Sequence, residues 1–235
     1  MVKSYQAGGA QFRLDIPRLD IARGAKLAFV GESGSGKSTL LELLAMILRP
    51  TESGVFTFCP RSNEDTHDIA AAWQSPDVNQ LSDLRSRHIG YVLQYGGLLP
   101  YLTVRDNINL SRRLLFGPNE DVAGHWADRL RITAQLGKRP AELSVGQRQR
   151  VAIARALAHD PTVLIADEPT AAIDPANAER IMELMVGLVD DLGVTLIIAS
   201  HAHRLMRSAG LRMIEHDIDT SDANSMRVRV SDADR

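Results

Sequence analysis

Apolar runs of strand length alternate along this chain with stretches of helical periodicity. Strand-like runs rich in aliphatic and β-branched side chains stand at 25–30, 88–94, 162–167 and 194–200. Helical patterns stand at 38–48, before Arg49-Pro50, and at 176–193, where Gly193 is a natural helix stop. Unbroken apolar strands are typical of a sheet covered on both faces. The pattern predicts an α/β fold with a mostly parallel sheet and helices on its faces.

Three segments depart from this alternation. Residues 59–87 are polar and irregular, and we expect a flexible insertion there. Residues 95–142 contain two helical stretches, 103–116 and 121–136, without a convincing strand between them, which indicates a helical subdomain inserted into the core. The tail, 217–235, has scattered Asp and Arg and one brief MRVRV alternation, so we expect it to be weakly ordered.

Composition narrows the class of protein. With 235 residues, of which 44% are hydrophobic and only 5% aromatic, the chain can bury a large aliphatic core. Its formal net charge of -2 counts against bulk affinity for nucleic acid, which usually requires a strongly basic face. Cys59 is the only cysteine, so no intramolecular disulfide can form and a reducing compartment is expected.

The sequence predicts neither a signal peptide nor a membrane span. The opening MVKSYQAGGAQF lacks an apolar run. The longest apolar stretch, 40–48, is about half the length of a span and contains Glu42. We therefore expect a soluble chain, and any membrane spans that it works with must come from another protein.

The stretch GESGSGKST at 31–39 is the strongest local indication of function in the sequence. It fits the phosphate-loop pattern G-x-x-x-x-G-K-[ST] between a predicted strand and a predicted helix. Its glycines allow backbone N–H groups to surround an anion, and the helix adds its positive N-terminus. Lys37 is expected to reach the β- and γ-phosphates, and the Ser38 hydroxyl is expected to bind Mg²⁺. A dinucleotide-binding G-x-G-x-x-G cannot be laid over these glycines.

A second cluster follows the strand at 162–167. Asp167 ends that strand, where it can hold Mg²⁺ through water, and Glu168 can position the water that attacks a γ-phosphate. His201 follows another strand at the same end of the sheet, although a surface histidine would look the same. Gln94 closes the run YVLQ and has an equally plain alternative as a loop residue.

The stretch LSVGQRQR at 143–150 heads an alanine-rich helix and allows three interpretations. Its arginines could form a basic patch for nucleic acid. Ser144 and Gln147 fit a capping box, in which case the turn simply starts the helix. The same helix N-terminus could be one half of a phosphate site.

Taken in order, these stretches resemble the nucleotide-binding domain of ATP-binding cassette (ABC) proteins. GESGSGKST resembles the Walker A loop, YVLQYGGLLP the Q-loop and LSVGQRQR the family's signature. VLIADEP resembles Walker B with its catalytic glutamate, AAID the D-loop, and IIASH the strand and switch histidine. The resemblance covers about 1–216 and implies a P-loop NTPase core, an N-terminal antiparallel β subdomain and an inserted helical signature subdomain at about 95–158.

The resemblance also implies a set of site residues. Those expected to bind ATP are Tyr5, Gly31, Glu32, Ser33, Gly34, Ser35, Gly36, Lys37, Ser38, Thr39, Gln94, Ser144, Gly146, Gln147 and Asp174. The expected Mg²⁺ ligands are Ser38, Gln94 and Asp167, and the expected catalytic residues are Lys37, Glu168 and His201. Tyr5 would stack on adenine, although Phe12 is close enough to compete for that role and Tyr5 could be an ordinary strand-end residue.

The resemblance implies partners as well as chemistry. Two copies would dock head to tail, with each ATP between the Walker loops of one copy and the signature of the other, and Asp174 would communicate across the dimer. A separate integral membrane permease would be powered by the ATP cycle, which would place the chain on the cytoplasmic, inner face of the membrane. No nucleic acid is expected as a partner. YGGLLPYLTVRDNI looks most like ATPases of the lipoprotein-releasing and macrolide-exporter type, although importer ATPases share many of the same motifs.

Two residues depart from the family pattern. Val145 replaces the first glycine of the usual LSGGQ, and Ala202 stands where an acid often follows the histidine.

A soluble ABC ATPase of DNA repair is disfavoured because Ser144 follows Lys37 too closely for a long coiled coil, and translation-type members usually carry two cassettes. A non-catalytic ATP-gated scaffold is disfavoured by the intact Lys37, Asp167, Glu168 and His201.

Overall fold

The computed structural model describes residues 1–7, 10–61, 66–77, 79–222 and 225–231. These residues divide into two compact units, one formed by 1–85 with 197–235 and the other by 86–196. The second unit contains the helical segment expected at 95–158, and it also includes strands and a helix of the α/β core. The expected subdomain boundary therefore differs from the division seen in the structure.

The secondary-structure elements follow the predicted alternation. The strands are β1 (Val2–Ala7), β2 (Ala10–Asp15), β3 (Lys26–Val30), β4 (Thr57–Phe58), β5 (His67–Asp68), β6 (Ile89–Val92), β7 (Val163–Asp167), β8 (Thr195–Ser200), β9 (Arg212–Asp222) and β10 (Ser225–Ser231). The helices are α1 (Lys37–Leu44), α2 (Ile69–Ala72), α3 (Asn79–His88), α4 (Val104–Phe116), α5 (Ala123–Arg129), α6 (Val145–Leu157), α7 (Pro175–Leu192) and α8 (His203–Ser208). Short 3₁₀ turns stand at Thr133–Gln135 and Pro140–Glu142.

The first unit is organised by a mixed sheet in the order β1-β2-β10-β9-β3-β8. β1 and β2 form an antiparallel pair, as expected for the N-terminal subdomain, and β3 pairs with β9 in parallel. Leu27, Ala28 and Phe29 of β3 are almost completely buried. Full burial of one large aliphatic or aromatic side chain stabilises a fold by about 1.5–3 kcal/mol, so this strand anchors the unit's core.

The tail forms strands rather than a weakly ordered segment. Over the described residues 217–222 and 225–231, β9 and β10 pair in antiparallel fashion, and β10 also pairs in parallel with β2. Val228 and Val230 are buried, and Arg227 donates to the buried Asp15 carboxylate at 2.6 Å. These residues are in strands, where the sequence predicts weak order, because the MRVRV alternation buries its valines and pairs an arginine. The rest of 217–235 lies outside the described residues.

The segment 59–87 also contains more regular structure than expected. β5, α2 and most of α3 lie within its described residues. Leu81 and Leu84 of α3 are buried, and the Arg85 guanidinium donates to Met46 O at 2.8 Å. The interpretation of the segment as irregular is therefore wrong for these residues, while 62–65 and residue 78 lie outside the described part of the chain.

The second unit packs helices around a parallel strand pair. β6 and β7 are in register from Ile89 opposite Val163 to Val92 opposite Ala166. α6, which is buried over most of one face, packs against β6, α4 and α7. The helices predicted at 103–116 and 176–193 are confirmed as α4 and α7, and Gly193 ends α7 with a φ of 65°.

Two predicted helices are shorter in the structure. The helix expected at 38–48 ends at Leu44, and Met46 beyond it has a φ of 58°, which no continuing α-helix allows. The stretch expected at 121–136 is helical only from Ala123 to Arg129, followed by a 3₁₀ turn. Within the described ranges, no helix is both long enough and apolar enough to cross a membrane.

A buried histidine makes the stability of the second unit depend on pH. His159 is 5% exposed, and its Nε2 lies 3.2 Å from Ile89 O. Burial lowers the pKa of His159 below its ordinary value of 6.5, although the Ile89 carbonyl opposes this. Below about pH 6.5 the unfolded chain therefore binds more protons than the folded one, so stability falls as the pH falls.

We expect His159→Gln to flatten this acid loss of stability. The free energy of unfolding of the wild-type protein should decrease between pH 6.5 and 5 with a slope of up to about 1.4 kcal/mol per pH unit from this group. Urea titrations at several pH values measure that slope. His125→Gln, which removes an exposed histidine from the same unit, is the control. Identical slopes in the two variants would contradict the assignment.

Candidate functional site

The phosphate-loop sequence forms a tight turn between β3 and α1. β3 ends at Val30, and α1 begins at Lys37 with Gly36 as its N-terminal cap. Gly34 and Gly36 have φ angles of 84° and 82°, in the left-handed region that glycine occupies without steric cost. A glycine turn of this kind at a helix N-terminus is an arrangement that binds anions.

The Lys37 side chain folds back onto this loop. Its ammonium group donates to Gly31 O at 2.9 Å and to Glu32 O at 2.7 Å, and only 8% of the residue is exposed. The Ser35 hydroxyl in the same loop is buried and has no hydrogen-bond partner among the described residues. A buried polar group without a partner costs about 1–3 kcal/mol, so the loop offers an unsatisfied oxygen to a ligand.

Two aromatic rings of the β1–β2 pair lie near the loop. Tyr5 and Phe12 stand opposite each other, with ring centroids 6.1 Å apart. Phe12 packs on Gly36 so closely that a Cβ there would come within 2.7 Å of Phe12 Cζ. Tyr5 shares a hydrogen bond with Thr39, has Lys3 Nζ 4.9 Å from its ring centre, and is 41% exposed. Phe12 therefore supports the loop, while Tyr5 keeps surface available to a ligand.

Two histidines of the first unit are associated with the start of the loop. His201 directly follows β8, whose last residue, Ser200, accepts a hydrogen bond from the Gly31 N–H at 3.2 Å. The His216 ring of β9 lies against Gly31, where any added Cβ would clash with it. Burial, and then the charge of Lys37, lowers the pKa of His216. Sequence reasoning missed His216, because a single histidine inside a strand carries no motif.

The second unit presents two acids at the end of β7. Asp167 is the last residue of that strand, and its Oδ1 is buried without a hydrogen-bond partner in the described part of the chain. Glu168 follows with a φ of 46°, a left-handed conformation that costs a non-glycine residue about 1–2 kcal/mol. Such strain is found at functional sites, where it holds a side chain in one direction. Both acids thus have local features expected of functional residues.

The LSVGQRQR stretch begins α6 through a reciprocal pair of hydrogen bonds. The Ser144 Oγ accepts from the Gln147 N–H at 3.3 Å, and the Gln147 Oε1 accepts from the Ser144 N–H at 2.9 Å. The predicted capping box is therefore confirmed. Val145 is the first residue of α6 and is 41% exposed, so the departure from the usual signature does not disturb the helix start.

The arginines of the same stretch bind the protein's own backbone. Arg148 donates to Leu143 O at 2.6 Å, and Arg150 donates to Leu130 O at 3.1 Å. A basic patch for nucleic acid would instead present these side chains free at the surface. The contacts therefore favour the other two interpretations of this stretch, a helix cap and one half of a phosphate site.

Two further predicted residues stand in exposed positions of the second unit. Gln94 lies in the turn that follows β6, which ends at Val92, so the residue is not part of the strand. Asp174 caps α7, and its Oδ1 accepts from the Asn177 N–H at 3.1 Å. Hydrogen bonding by Asn177 lowers the pKa of Asp174. Asp174 thus has a structural role as the cap of α7, in addition to the expected role in communication across the dimer.

The structure thus distributes the predicted residues over two sets. The first unit carries Tyr5, the loop at 31–39 and His201, and the hydrogen bonds above associate them with one strand–helix turn. The second unit carries Gln94, Ser144, Gly146, Gln147, Asp167, Glu168 and Asp174.

Comparison with known proteins decides the family. A family model described as "ABC transporter" matches residues 14–171, which is more than half of the chain. The chain belongs to the ABC transporter family. The resemblance inferred from the motifs is therefore confirmed, and the chain is an ATP-binding, ATP-hydrolysing cassette.

Individual relatives of this ABC ATPase agree with that family. The lipoprotein-releasing system ATP-binding protein LolD of Legionella pneumophila (strain Paris) is 35% identical, over 92% of both chains. The methionine import ATP-binding protein MetN of Caulobacter vibrioides is 36% identical, over 87% of this chain and 59% of MetN. The solved post-hydrolysis dimer of the cassette MJ0796, bound to ADP and Pi, matches with a TM-score of 0.74 at 32% identity, covering 91% of this chain and 90% of that one.

The fold expected for an ABC ATPase is confirmed by that structural match. The α/β class, the parallel core strands and the antiparallel N-terminal pair all appear in the structure. The individual roles of the site residues stay predictions.

We expect Ser144→Ala to lower the free energy of unfolding of this ABC ATPase by about 1 kcal/mol, because α6 loses its cap. Ser144→Asn retains a capping oxygen and should keep most of the stability. Urea denaturation followed by circular dichroism measures both variants. Equal stability of the alanine variant and the wild-type protein would contradict the role of the cap.

Proposed function

We propose that this ABC ATPase binds Mg²⁺ and ATP between two copies of itself and powers a separate integral membrane permease. The observation that carries the proposal is the phosphate loop, with its buried Lys37 ammonium group and its unpartnered Ser35 hydroxyl. A triphosphate is the ligand whose charge and length suit that loop.

In this proposal, the loop at 31–39 surrounds the phosphates of ATP. Lys37 exchanges the carbonyl oxygens of Gly31 and Glu32 for oxygens of the β- and γ-phosphates, so its charge stays compensated throughout. Tyr5 stacks on the adenine, which its 41% exposure and its bond to Thr39 support. Phe12 is less suited to stacking, because it already packs on Gly36.

We propose Mg²⁺ as the cation of the site, with Ser38, Gln94 and Asp167 as its protein ligands. The buried, unpartnered Oδ1 of Asp167 fits an oxygen that binds the ion or one of its waters. Within the described ranges, no group of three or more His, Cys, Asp and Glu side chains could hold a metal. Hydroxyl, amide and carboxylate oxygens suit Mg²⁺ better than a transition metal. When bound, the ion neutralises charge on the β- and γ-phosphate oxygens.

Glu168 is proposed as the residue that positions the attacking water and accepts its proton. The water oxygen forms a bond to the γ-phosphorus as the bond to the ADP oxygen breaks, and the products are ADP and phosphate. His201 is proposed to hydrogen-bond the γ-phosphate, because it follows β8 where Ser200 meets the start of the loop. The left-handed backbone of Glu168 supports a side chain held in one direction.

A second copy of the chain is proposed to complete each ATP site with its signature. At the N-terminus of α6, Ser144 and Val145 are exposed, and we propose that the first backbone N–H groups of the helix that are outside the capping box bind a γ-phosphate. Gly146 and Gln147 belong to the same turn, and Asp174 is proposed to communicate between the copies. The dimeric form of the MJ0796 cassette supports this assembly. The branched Val145 side chain is proposed to tune how readily the dimer closes.

A permease of the lipoprotein-releasing or exporter type is the membrane partner that we propose. The match to the lipoprotein-releasing ATPase LolD, 35% identical over 92% of both chains, supports this partner. An importer ATPase is the second candidate, supported by the match to MetN, of which the chain covers 59%. In either case the chain would lie peripherally on the inner face of the cytoplasmic membrane.

Glu168→Gln tests the catalytic assignment. We expect ATPase activity to fall by about hundredfold or more, because the amide cannot accept the proton, while ATP affinity is retained. The control Glu179→Gln removes an exposed carboxylate from α7 and should keep wild-type activity. Wild-type activity in Glu168→Gln would refute the assignment.

The same variant tests the dimer. With ATP present, Glu168→Gln should accumulate as a dimer in size-exclusion chromatography with light scattering, and with ADP it should be monomeric. Adding Ser144→Arg should abolish the ATP-dependent dimer, because a large cation replaces the small cap at the proposed γ-phosphate contact. A dimer that forms equally well in the double variant would contradict the proposed use of the signature.

Affinity purification tests the membrane partner. We expect the tagged Glu168→Gln chain to recover an integral membrane protein from detergent-solubilised membranes, and that protein should raise the ATPase rate of the wild-type chain in liposomes. The number of spans and the size of any extracytoplasmic domain would then distinguish an exporter type from an importer. Failure to recover any membrane protein would favour a soluble ABC ATPase.

A further inference from the structure

An open cleft of 550 Å³ in the second unit brings four arginines together. We call it the arginine cleft. Its lining residues are Arg129, Arg131, Arg150, Arg180, Glu183, Leu184, Gly187, Leu188 and Asp191. None of them is among the residues expected to bind ATP, and with four cations against two anions the lining carries a net charge of about +2 at neutral pH.

Two of the arginines are anchored by the protein itself. Arg129, at the end of α5, forms an ion pair with Asp191 of α7 at 2.5 Å and lies over the Trp126 ring. Arg150 of α6 donates from one guanidinium nitrogen to Leu130 O at 3.1 Å. These contacts fix the position of both groups, and they leave Arg150 without a carboxylate partner among the described residues.

The other two arginines have no ion pair or hydrogen bond from their side chains within the described ranges. Arg131 and Arg180 are exposed at the cleft, one after α5 and the other on α7. They are close enough to Arg150 that their charges, after burial, lower its pKa. Three cations, from α6, from α7 and from the turn after α5, are thus near one another, and an anion among them would relieve their repulsion.

Arg131 occupies a backbone position that usually belongs to glycine. Its φ is 57°, its N–H donates to Asp128 O at 3.0 Å, and the Ile132 N–H donates to Ala127 O at 2.8 Å. This is the Schellman pattern that ends a helix, in which glycine avoids steric cost. The chain has this steric cost at Arg131, whose guanidinium group lines the cleft.

Gly187 contributes no side chain to the lining of the cleft. It lies in the interior of α7, where glycine is less stable than alanine, and a Cβ added there would meet nothing within 4 Å. Packing therefore does not require glycine at this position. Leu184 and Leu188 of the same helix add apolar surface to the lining.

We propose that the arginine cleft binds a phosphate-bearing small anion at a site separate from the ATP site. A guanidinium group presents a planar fork of N–H donors that matches phosphate oxygens, and several such forks converge here. The net positive charge of the lining matches a phosphate monoester, which carries about −1.5 to −2 at neutral pH. The cleft volume lies in the range of about 300–1,000 Å³ that is typical of small-molecule sites.

Calorimetric titration with sodium tripolyphosphate tests the proposal. The titrations use the full chain with Lys37→Ala, which removes the ammonium group from the phosphate loop and so reduces binding there. We expect the probe to bind this protein, and Arg131→Ala with Arg180→Ala to weaken binding by about tenfold or more. The control pair, Arg87→Ala with Arg207→Ala, removes two exposed arginines outside the cleft and should change the affinity by about twofold or less.

A steric variant separates the shape of the cleft from its charge. Gly187→Leu adds a branched apolar side chain to the lining without changing any charge, and it should weaken tripolyphosphate binding while circular dichroism shows an intact fold. If the Arg131/Arg180 pair and the control pair lose affinity equally, or if Gly187→Leu binds like its parent, the proposal is wrong.

The phosphate could come from a soluble metabolite or from a lipid headgroup. Flotation with vesicles of phosphatidylcholine, with and without phosphatidic acid, distinguishes the two sources. Vesicle binding that requires phosphatidic acid and is lost in the Arg131/Arg180 pair would identify a headgroup site. Cleft-dependent binding of tripolyphosphate without any vesicle binding would identify a site for a soluble ligand.

Discussion

The Lys37 ammonium group is nearly buried and is held by two carbonyl oxygens of its own loop. Burial of a charge is costly unless polar partners replace water, so the loop must present its carbonyls inward. It can do so because Gly34 and Gly36 adopt left-handed conformations before α1 begins at Lys37. The neighbouring elements conform to that turn: Phe12 packs on Gly36, His216 packs on Gly31, and Ser200 accepts the Gly31 N–H. The phosphate loop is thus the constraint around which the first unit is arranged.

Local signals predict the core elements well, because each of those elements is specified by its own sequence. β3, β7, β8, α4 and α7 lie where their apolar patterns and stop residues place them. The polar helix α3 escapes prediction, because Leu81 and Leu84 are its only buried residues and give too weak a pattern. The strands of the tail escape prediction for a different reason. β10 is stabilised by pairing with β2, which lies far away in the sequence and cannot be recognised from the tail itself.

The same distinction applies to the candidate site. The phosphate loop, the capping box and the predicted switch histidine each lie in one contiguous stretch, so the sequence alone is enough to propose their residues. His216 is a single residue inside a strand and belongs to no motif. The arginine cleft is lined by side chains that lie far apart in the sequence, and no spacing rule joins Arg131, Arg150 and Arg180. The arginines of LSVGQRQR illustrate the limit: the sequence shows their charge, and only the fold shows that Arg148 and Arg150 bind backbone carbonyls.

The position of β10 has a consequence for how the chain is made. This strand lies between β2 and β9, so among the named strands of the described residues it is β10, formed by 225–231, that joins the β1–β2 pair to the sheet containing β3. During synthesis on the ribosome, the β10 edge of β2 has no partner until residues 225–231 have emerged, about 210 residues after β2 itself. Tyr5 and Phe12 are therefore translated long before the strand that joins their pair to the rest of the sheet. The β1–β2 hairpin therefore depends on β10, a strand that is translated later. Until then β2 has an exposed edge, which is a natural point of contact for chaperones.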